Sequence, residues 1–345
     1  MKVLVYSPAF LPGIGGLEIN VARTAAALVR HGFEVVVVTT TANTIPNERA
    51  DAFPFRVVRR PGPAELLRWV RWCDLFYQAN VSLRGLWPLL LARRPWVVSH
   101  HSWYCRPDGR VAWADRLKRR LLRHATASIS VSRAMAADLD TASTVIPNAY
   151  RDDLFRKLPG AARTRDLIFL GRLVSDKGVE ILIEALSRLA AEGLAPRLTV
   201  VGEGPERARL EAQVAGLGLA DRVDFLGLRT GEELVRLLNE HRILVVPSRY
   251  NEPFGIVALE GIACGCVVVG SSGGGLPEAI GPCGLTFPNG DAAALVKILA
   301  GLLRDPKAGD DLTRHAAAHL APHREASVGA AYAGVLTHAL KGARR

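Results

Sequence analysis

Cysteine, methionine and aromatic residues are scarce in this chain of 345 residues: five Cys, two Met, and 6% Phe, Trp and Tyr together. Five thiols spread over a long chain are an odd count, which excludes a disulfide framework as the organising device and fits reduced cysteines. The start, MKVLVYSPAF, has too short an apolar stretch and no small-residue cleavage site for a secretory signal, so a cytoplasmic location is expected. No hydrophobic run approaches membrane-spanning length. Walker A, zinc-finger and RNA-binding signatures are all missing, and nucleic acid is not an expected partner. Neither a low-complexity tract nor a short internal repeat occurs. What remains is a length comfortable for two domains, each able to bury a sizeable core.

Acidic residues are also few, but only in one half. Residues 1–160 carry 23 Lys and Arg against 12 Asp and Glu, whereas residues 161–345 carry 21 against 21, so the whole net charge of +11 belongs to the first half. Basic segments include Arg59-Arg60, Arg93-Arg94 and the stretch 114–125. In that stretch Leu117 and Leu121 share a helical face with Trp113, and Arg116, Lys118, Arg119, Arg120 and Arg123 surround it. Such a helix can lie on an anionic membrane surface. It can equally be a solvated basic face whose leucines enter the core.

Strand and helix patterns alternate. Strands are expected at Val3–Tyr6, Glu34–Thr40, Phe55–Arg59, Asp74–Gln78, Trp96–Ser99, Ala127–Val131 and Thr144–Ile146, with helices such as Leu17–Arg30 and Leu83–Ala92 between them. An irregular stretch ending at Leu158-Pro159-Gly160 reads as an interdomain linker. The alternation then restarts, with strands at Leu167–Leu170, Arg197–Val201, Val223–Leu226, Ile243–Val246, Val267–Gly270 and Leu285–Phe287. This describes two doubly wound parallel-sheet domains: residues 1–150, residues 151–325, and a final segment 326–345.

The richest chemistry lies in SRYNEPFGIVALEGIACGC. The strand Ile243–Val246 leads into it and Phe254–Ala263 reads as the next helix, so Glu252 sits at a strand-to-helix turn, where open α/β sheets bind ligands. Glu260 follows more than a turn into the helix, and Gly255 leaves the first amides, those around Phe254 and Ile256, accessible. Two acids and a set of amide donors suit a sugar nucleotide, with hydroxyls for the acids and phosphates for the amides. In FLGRLVSDKG, Arg172 and Lys177 flank a loop that opens the Val179 helix, an arrangement that fits a diphosphate. Cations placed there stabilise the charge that builds on a departing phosphate. Near the start, Gly13 and Gly15 match two glycines of a dinucleotide fingerprint, but Glu18 occupies the third position and the second strand ends in threonines, so the fingerprint fails. Gly15 and Gly16 still let amides approach a phosphate or sugar. Asp138 and Asp140 have Asp-x-Asp spacing but end a helix, and His100, His101 and Cys105 lack zinc-site spacing. No metal or other cofactor is expected. Cys264 and Cys266 read as small packing residues.

The spacing Glu252-x7-Glu260 resembles the signature of the retaining group-1 glycosyltransferases of family four, and PGIGGLE, VVSHHSWY, VIPN, FLGRLVSDKG, VVGEGPE, FLG and GGLPE follow that family's order. The resemblance implies the GT-B architecture, two Rossmann-like domains facing a central cleft, with the last helix returning to the N-terminal domain. It implies a nucleotide-diphosphate sugar as donor, bound on the C-terminal domain, an acceptor on the N-terminal domain, and retention at the anomeric carbon. By the same resemblance Glu252, His101, Arg172 and Lys177 are catalytic, while Glu260, Phe254, Gly255, Ile256 and the turns at Gly202, Gly204 and Gly227 border the donor. Glu278 is a weaker candidate. Ser102 stands where the family commonly carries an aspartate. A saccharide or lipid-linked glycan at the inner face of a bacterial membrane is the first acceptor considered. A non-catalytic sugar-nucleotide-binding subunit and a GT-B epimerase remain as alternatives.

Overall fold

Continuous apolar runs bounded by glycine, proline and polar turns become thirteen strands in two separate sheets among the described residues. They are seen in a computed structural model that describes residues 1–13, 15–42, 53–105 and 109–343. Ile14, inside the first glycine turn, lies outside the described residues. The first unit comprises Met1–Ala149 with Glu325–Arg345, and the second Tyr150–Arg324.

In the first unit the strands are β1 (Lys2–Ser7), β2 (Glu34–Thr39), β3 (Arg56–Arg59), β4 (Leu75–Ala79), β5 (Trp96–His100), β6 (Ala127–Ser130) and β7 (Thr144–Val145), in the sheet order β3-β2-β1-β4-β5-β6-β7. Every pairing is parallel. Strands buried on both faces need helices on both, which explains runs such as Val35-Val36-Val37-Val38 without alternation. One face packs on the helix Gly16–Arg30 and on the last helix, Glu325–Ala343, through Val21, Leu28, Val328, Tyr332 and Leu336. Arg23 reinforces that contact with an ion pair to Glu325 at 3.3 Å. The other face packs on the helix Pro63–Trp72, the turn Trp87–Leu90 and Leu121-Leu122.

The expected helix Leu83–Ala92 is shorter than its pattern suggests. Pro88 lacks the amide an α-helix needs, and the segment divides into α-helix Leu83–Leu86 and a 3-10 turn, Trp87–Leu90. In the basic stretch the helix runs Trp113–Leu121 and buries none of its residues; Trp113 is 75% exposed. The end of the helix meets the core through Leu121, which is partly buried, and the next residue, Leu122, which is fully so. The reading in which this helix's leucines pack inward therefore fails for Leu117, which is exposed.

The second unit has β8 (Arg165–Leu170), β9 (Leu198–Val201), β10 (Val223–Gly227), β11 (His241–Val246), β12 (Val267–Ser271) and β13 (Gly284–Phe287), in the order β10-β9-β8-β11-β12-β13, again all parallel. The order reverses between β8 and β11, the switch point at which such sheets open a crevice beyond their C-terminal ends. The stretch expected as a linker is not free. Leu154 and Phe155 are buried, Asn239 bonds to the Leu158 amide and the Arg156 carbonyl, and Arg156 pairs with Glu232 at 3.0 Å. One buried asparagine thus ties this polar segment to the helix Gly231–Glu240.

At the exits of β8, β9 and β10 the backbones run so close that side chains do not fit. Gly202 has φ +143 and a Cβ there would collide with the Gly171 carbonyl oxygen. Gly202→Ala is expected to destabilise the protein by about 2 kcal/mol or more, since neither the conformation nor the space suits alanine. A drop in urea midpoint at unchanged slope checks it.

Candidate functional site

The rim of the second sheet carries most of the residues singled out above. β8 ends at Leu170, and Gly171 leads to Arg172, which is exposed and has no ion pair among the described residues. Five residues on, Lys177 closes a short 3-10 turn, Ser175–Lys177, before the helix Val179–Ala191. Its Nζ reaches across to the neighbouring strand exit and meets Glu252 Oε1 at 2.6 Å. The two loops are also stitched by their backbones, the Arg249 amide donating to the Asp176 carbonyl at 2.9 Å.

Glu252 is 9% exposed and is fixed from three sides. Ser248 Oγ donates to Oε1 at 2.6 Å, Lys177 neutralises the same oxygen, and the Glu252 carbonyl accepts from the Gly275 amide at 2.7 Å. That last bond, with a bridge to Gly274, joins the turn after β11 to the turn after β12. Asn289 completes the lattice: its Oδ1 accepts from the Gly273 amide at 2.8 Å and its Nδ2 donates to the Arg249 carbonyl at 3.2 Å. A carboxylate this buried needs such partners to offset its lost hydration.

Gly255 then caps the helix Ile256–Ala263 with φ +112, a conformation other residues adopt at a cost. The first-turn amides of Ile256 and Val257 have no intrahelical acceptor by helix geometry, and they follow Glu252 directly. Phe254 is 2% exposed, its ring 5.6 Å from that of His323, so its side chain anchors the turn and only its backbone faces outward chemistry. Glu260 lies one turn beyond Ile256, on the partly exposed stripe it shares with Val257, while Ala258, Leu259 and Ile262 are buried. Gly202, Gly204 and Gly227 sit at or just beyond the ends of β9 and β10, with the Gly202 amide donating to the Gly227 carbonyl at 2.9 Å. Glu278 lies in the first turn of the short helix Leu276–Ile280. Cys264 and Cys266 are fully buried, and burial pushes their thiols up to about 12 and about 11, so both are inert packing residues.

The remaining candidates belong to the first unit. His101 follows the last residue of β5, and both of its ring nitrogens are engaged: Asn20 Nδ2 donates to Nδ1 at 3.4 Å, which leaves Nε2 to donate to Ser99 Oγ at 2.7 Å. Ser99 continues to the Tyr77 hydroxyl at 2.7 Å, Asn20 continues to Asn148, and the His101 amide donates to Asn80 Oδ1 at 2.7 Å. Asn80 accepts a left-handed conformation, φ +62, in making that contact. His100 points the other way and is fully buried between the Tyr104 hydroxyl and Ser128 Oγ, at 2.6 and 2.8 Å. Gly15 caps the helix Gly16–Arg30, and the Glu18 carboxylate folds over it, whereas the space beside Gly16 is open. A negative group at this helix start suits a sugar hydroxyl better than a phosphate. Asp138 is a helix terminus that pairs with Arg119 at 2.5 Å.

The pattern did not single out Ser248, Asn289, Asn20 or Asn80. Each is a small polar residue whose role is a hydrogen bond, to a neighbour distant in sequence for the three asparagines and to Glu252 four residues on for Ser248. Asn148, within VIPN, and Asn20, on an otherwise apolar helical face, are buried polar positions that a search for unexplained asparagines would have found.

Burial holds the His101 imidazole down at about 4 against the pull of its Asn148 bond, His100 at about 3, and His241 of the second unit at about 4. All three are neutral at pH 7. Their folded values lie below the ordinary 6.5, so the unfolded chain binds more protons below that pH. The stability they contribute is complete above about pH 6.5 and is lost as pH falls through about 4. A urea midpoint that is flat above pH 7 and falls steeply between pH 6 and 4 is expected; a flat profile throughout would contradict it.

The profile described as glycosyl transferases group 1 matches residues 151–319, and that of glycosyltransferase family 4 matches residues 14–153. This chain belongs to the group 1 glycosyltransferases. A 2-deoxystreptamine N-acetyl-D-glucosaminyltransferase of Streptomyces fradiae is 28% identical to the glycosyltransferase over 357 residues, 86% of this chain and 85% of the relative. Sucrose-phosphate synthase from Thermosynechococcus elongatus matches its fold with a TM-score of 0.81 at 25% identity over 99% of both chains. HepE of Anabaena, solved with UDP and glucose, does so with a TM-score of 0.82 at 23% identity over 98% of this chain and all of its own. The architecture of the glycosyltransferase is accordingly GT-B.

Proposed function

We propose that the protein is a retaining, metal-independent glycosyltransferase that moves a sugar from a nucleotide-diphosphate sugar to a hydroxyl of a saccharide or lipid-linked acceptor, in cell-surface glycan synthesis at the inner face of a bacterial membrane. The observation that carries this reading is the Lys177–Glu252 pair, 2.6 Å apart at the rim where β8 and β11 exit. Lys177 joins a carboxylate suited to sugar hydroxyls to the loop that also carries a second cation, Arg172, suited to phosphate. Glu260 accepts hydrogen bonds from the ribose hydroxyls, Glu252 and the amides after Phe254 and Gly255 hold the transferred sugar, and Arg172 and Lys177 hold the diphosphate. As the glycosyl–phosphate bond breaks, negative charge grows on the leaving diphosphate, and the two cations stabilise it more than the ground state. His101, neutral and held at both nitrogens, orients the reacting face; it is not needed as a free base.

Release of nucleoside diphosphate from a panel of donor sugars, with and without acceptors, tests the reading. The panel starts with uridine diphosphate sugars, the nucleotide with which HepE was solved, and with N-acetylglucosamine, the sugar named for the Streptomyces relative. Acceptor-dependent release is the expected result. Binding without release would make the chain a sugar-nucleotide-binding subunit, and an isomerised donor without transfer would make it an epimerase.

A further inference from the structure

The helical layer over one face of the first sheet leaves large apolar side chains in solvent. Trp87 and Leu89 pack inward from the turn Trp87–Leu90, and Leu121 packs inward from the basic helix, all into the same cluster. Yet Leu90 is 85% exposed, Leu91 64% and Trp113 75%. Leu90 and Leu91 are neighbours in the chain, and nothing among the described residues covers them. Isolated exposed leucines are ordinary, but adjacent ones beside a cationic cavity are not.

That cavity has a volume of about 430 Å³ and lies where β1, β4 and β5 begin, at the opposite edge of the sheet from His101. Lys2, Arg71, Arg93 and Arg94 line it, with Asp74 the single acid. Asp74 Oδ2 is occupied by the Lys2 backbone amide at 2.9 Å. Arg94 donates to the carbonyls of Arg93 and Arg71 at 3.1 and 2.7 Å, while its Nε is buried with no acceptor. Lys2 Nζ stands 5.4 Å from the Trp72 ring centroid. Four cations against one engaged carboxylate repel one another, and an anion entering the cavity relieves the repulsion.

We infer that this corner seats the phosphate headgroup of an anionic phospholipid, with Leu90 and Leu91 inserted among the upper acyl chains. The two leucines decide for a bilayer over a free phosphate, which would gain nothing from them. The concentration of the chain's positive excess in its first half has the matching sign. This deepens the membrane reading proposed above but does not depend on the transfer reaction, because the test uses neither donor nor acceptor.

Co-sedimentation of the full chain with phosphatidylcholine vesicles containing phosphatidylglycerol, against phosphatidylcholine alone, is the experiment. Partitioning at least about tenfold stronger onto the anionic vesicles is expected, with a loss of about fivefold for Arg93→Gln and about tenfold or more for Leu90→Ser with Leu91→Ser. All three positions are exposed, and circular dichroism melts verify that the variants fold. Equal binding to neutral vesicles, binding unchanged in the leucine variant, or calorimetric binding of inorganic phosphate without vesicle binding would each overturn the inference. Loss of donor turnover with vesicle binding intact would instead count against the transfer reading alone.

Discussion

Lys177→Ala is expected to lower kcat by about 100- to 1,000-fold, the range found when one preorganised charge-stabilising donor is removed, while donor affinity falls by less than about tenfold. The asymmetry follows from position. Lys177 already has a partner in Glu252 at 2.6 Å, so the ground-state donor competes for a cation that is partly neutralised. The leaving diphosphate carries more charge than the bound donor and draws more from the same ammonium. Removing it also strands Glu252, which is 9% exposed and would keep only Ser248 on that oxygen. Some of the loss is therefore displacement of the carboxylate, and the double variant Lys177→Ala with Glu252→Gln separates the two. A loss far from the sum of the single losses is expected, because the residues touch. Stopped-flow or single-turnover measurement of diphosphate release gives the chemical step directly. A kcat within about threefold of the parent would remove Lys177 from the mechanism.

How much of this was legible follows from the kind of signal each residue sends. Strand positions were readable throughout because parallel strands buried on both faces are continuous apolar runs, and β8 to β13 each fall within two residues of their expected limits. The helix Val179–Ala191 was readable for the same reason, since its apolar stripe and its glycine start agree. Pro88 gave a warning inside Leu83–Ala92 that the apolar pattern overrode. At the site, Glu252 and Lys177 were visible as charges at strand exits, but their contact spans 75 residues of sequence and is made by the β8–β11 adjacency. Asn289 and Asn80 were invisible because an amide carries no period and its partner is chosen only when the loops meet, and Ser248 because a hydroxyl four residues before Glu252 forms no recognisable pattern. The 150–160 segment looked like a linker because its composition is polar, while Asn239, which holds it, lies 81 residues further along. Leu117 was misplaced in the reading that packed the leucines of the basic helix inward, since amphipathicity says which face is apolar and not what covers it.

Glu260→Ala is expected to weaken donor binding by about 10- to 100-fold, the cost of losing hydrogen bonds to a charged acceptor, with kcat at saturating donor little changed. The residue stands a turn along the helix Ile256–Ala263 from Gly255, on its partly exposed stripe, roughly 6 Å further from the strand exit than Ile256. In the proposed arrangement it reaches the nucleoside half of a donor whose diphosphate lies at Arg172 and Lys177. An interaction with the ribose is present equally in the ground state and the transition state, and such uniform binding appears in KM rather than in kcat. The same argument supplies a finer test. If Glu260 grips the ribose, the variant loses affinity for the free nucleoside diphosphate by the same factor as for the sugar-linked donor, and the parent discriminates against a 2′,3′-dideoxy nucleotide by a comparable factor. If Glu260 instead grips the transferred sugar, the free diphosphate binds the variant as tightly as the parent. Isothermal titration with both ligands distinguishes these outcomes, and Glu260→Gln, which retains one acceptor oxygen but no charge, should fall between parent and alanine only in the first case for both ligands.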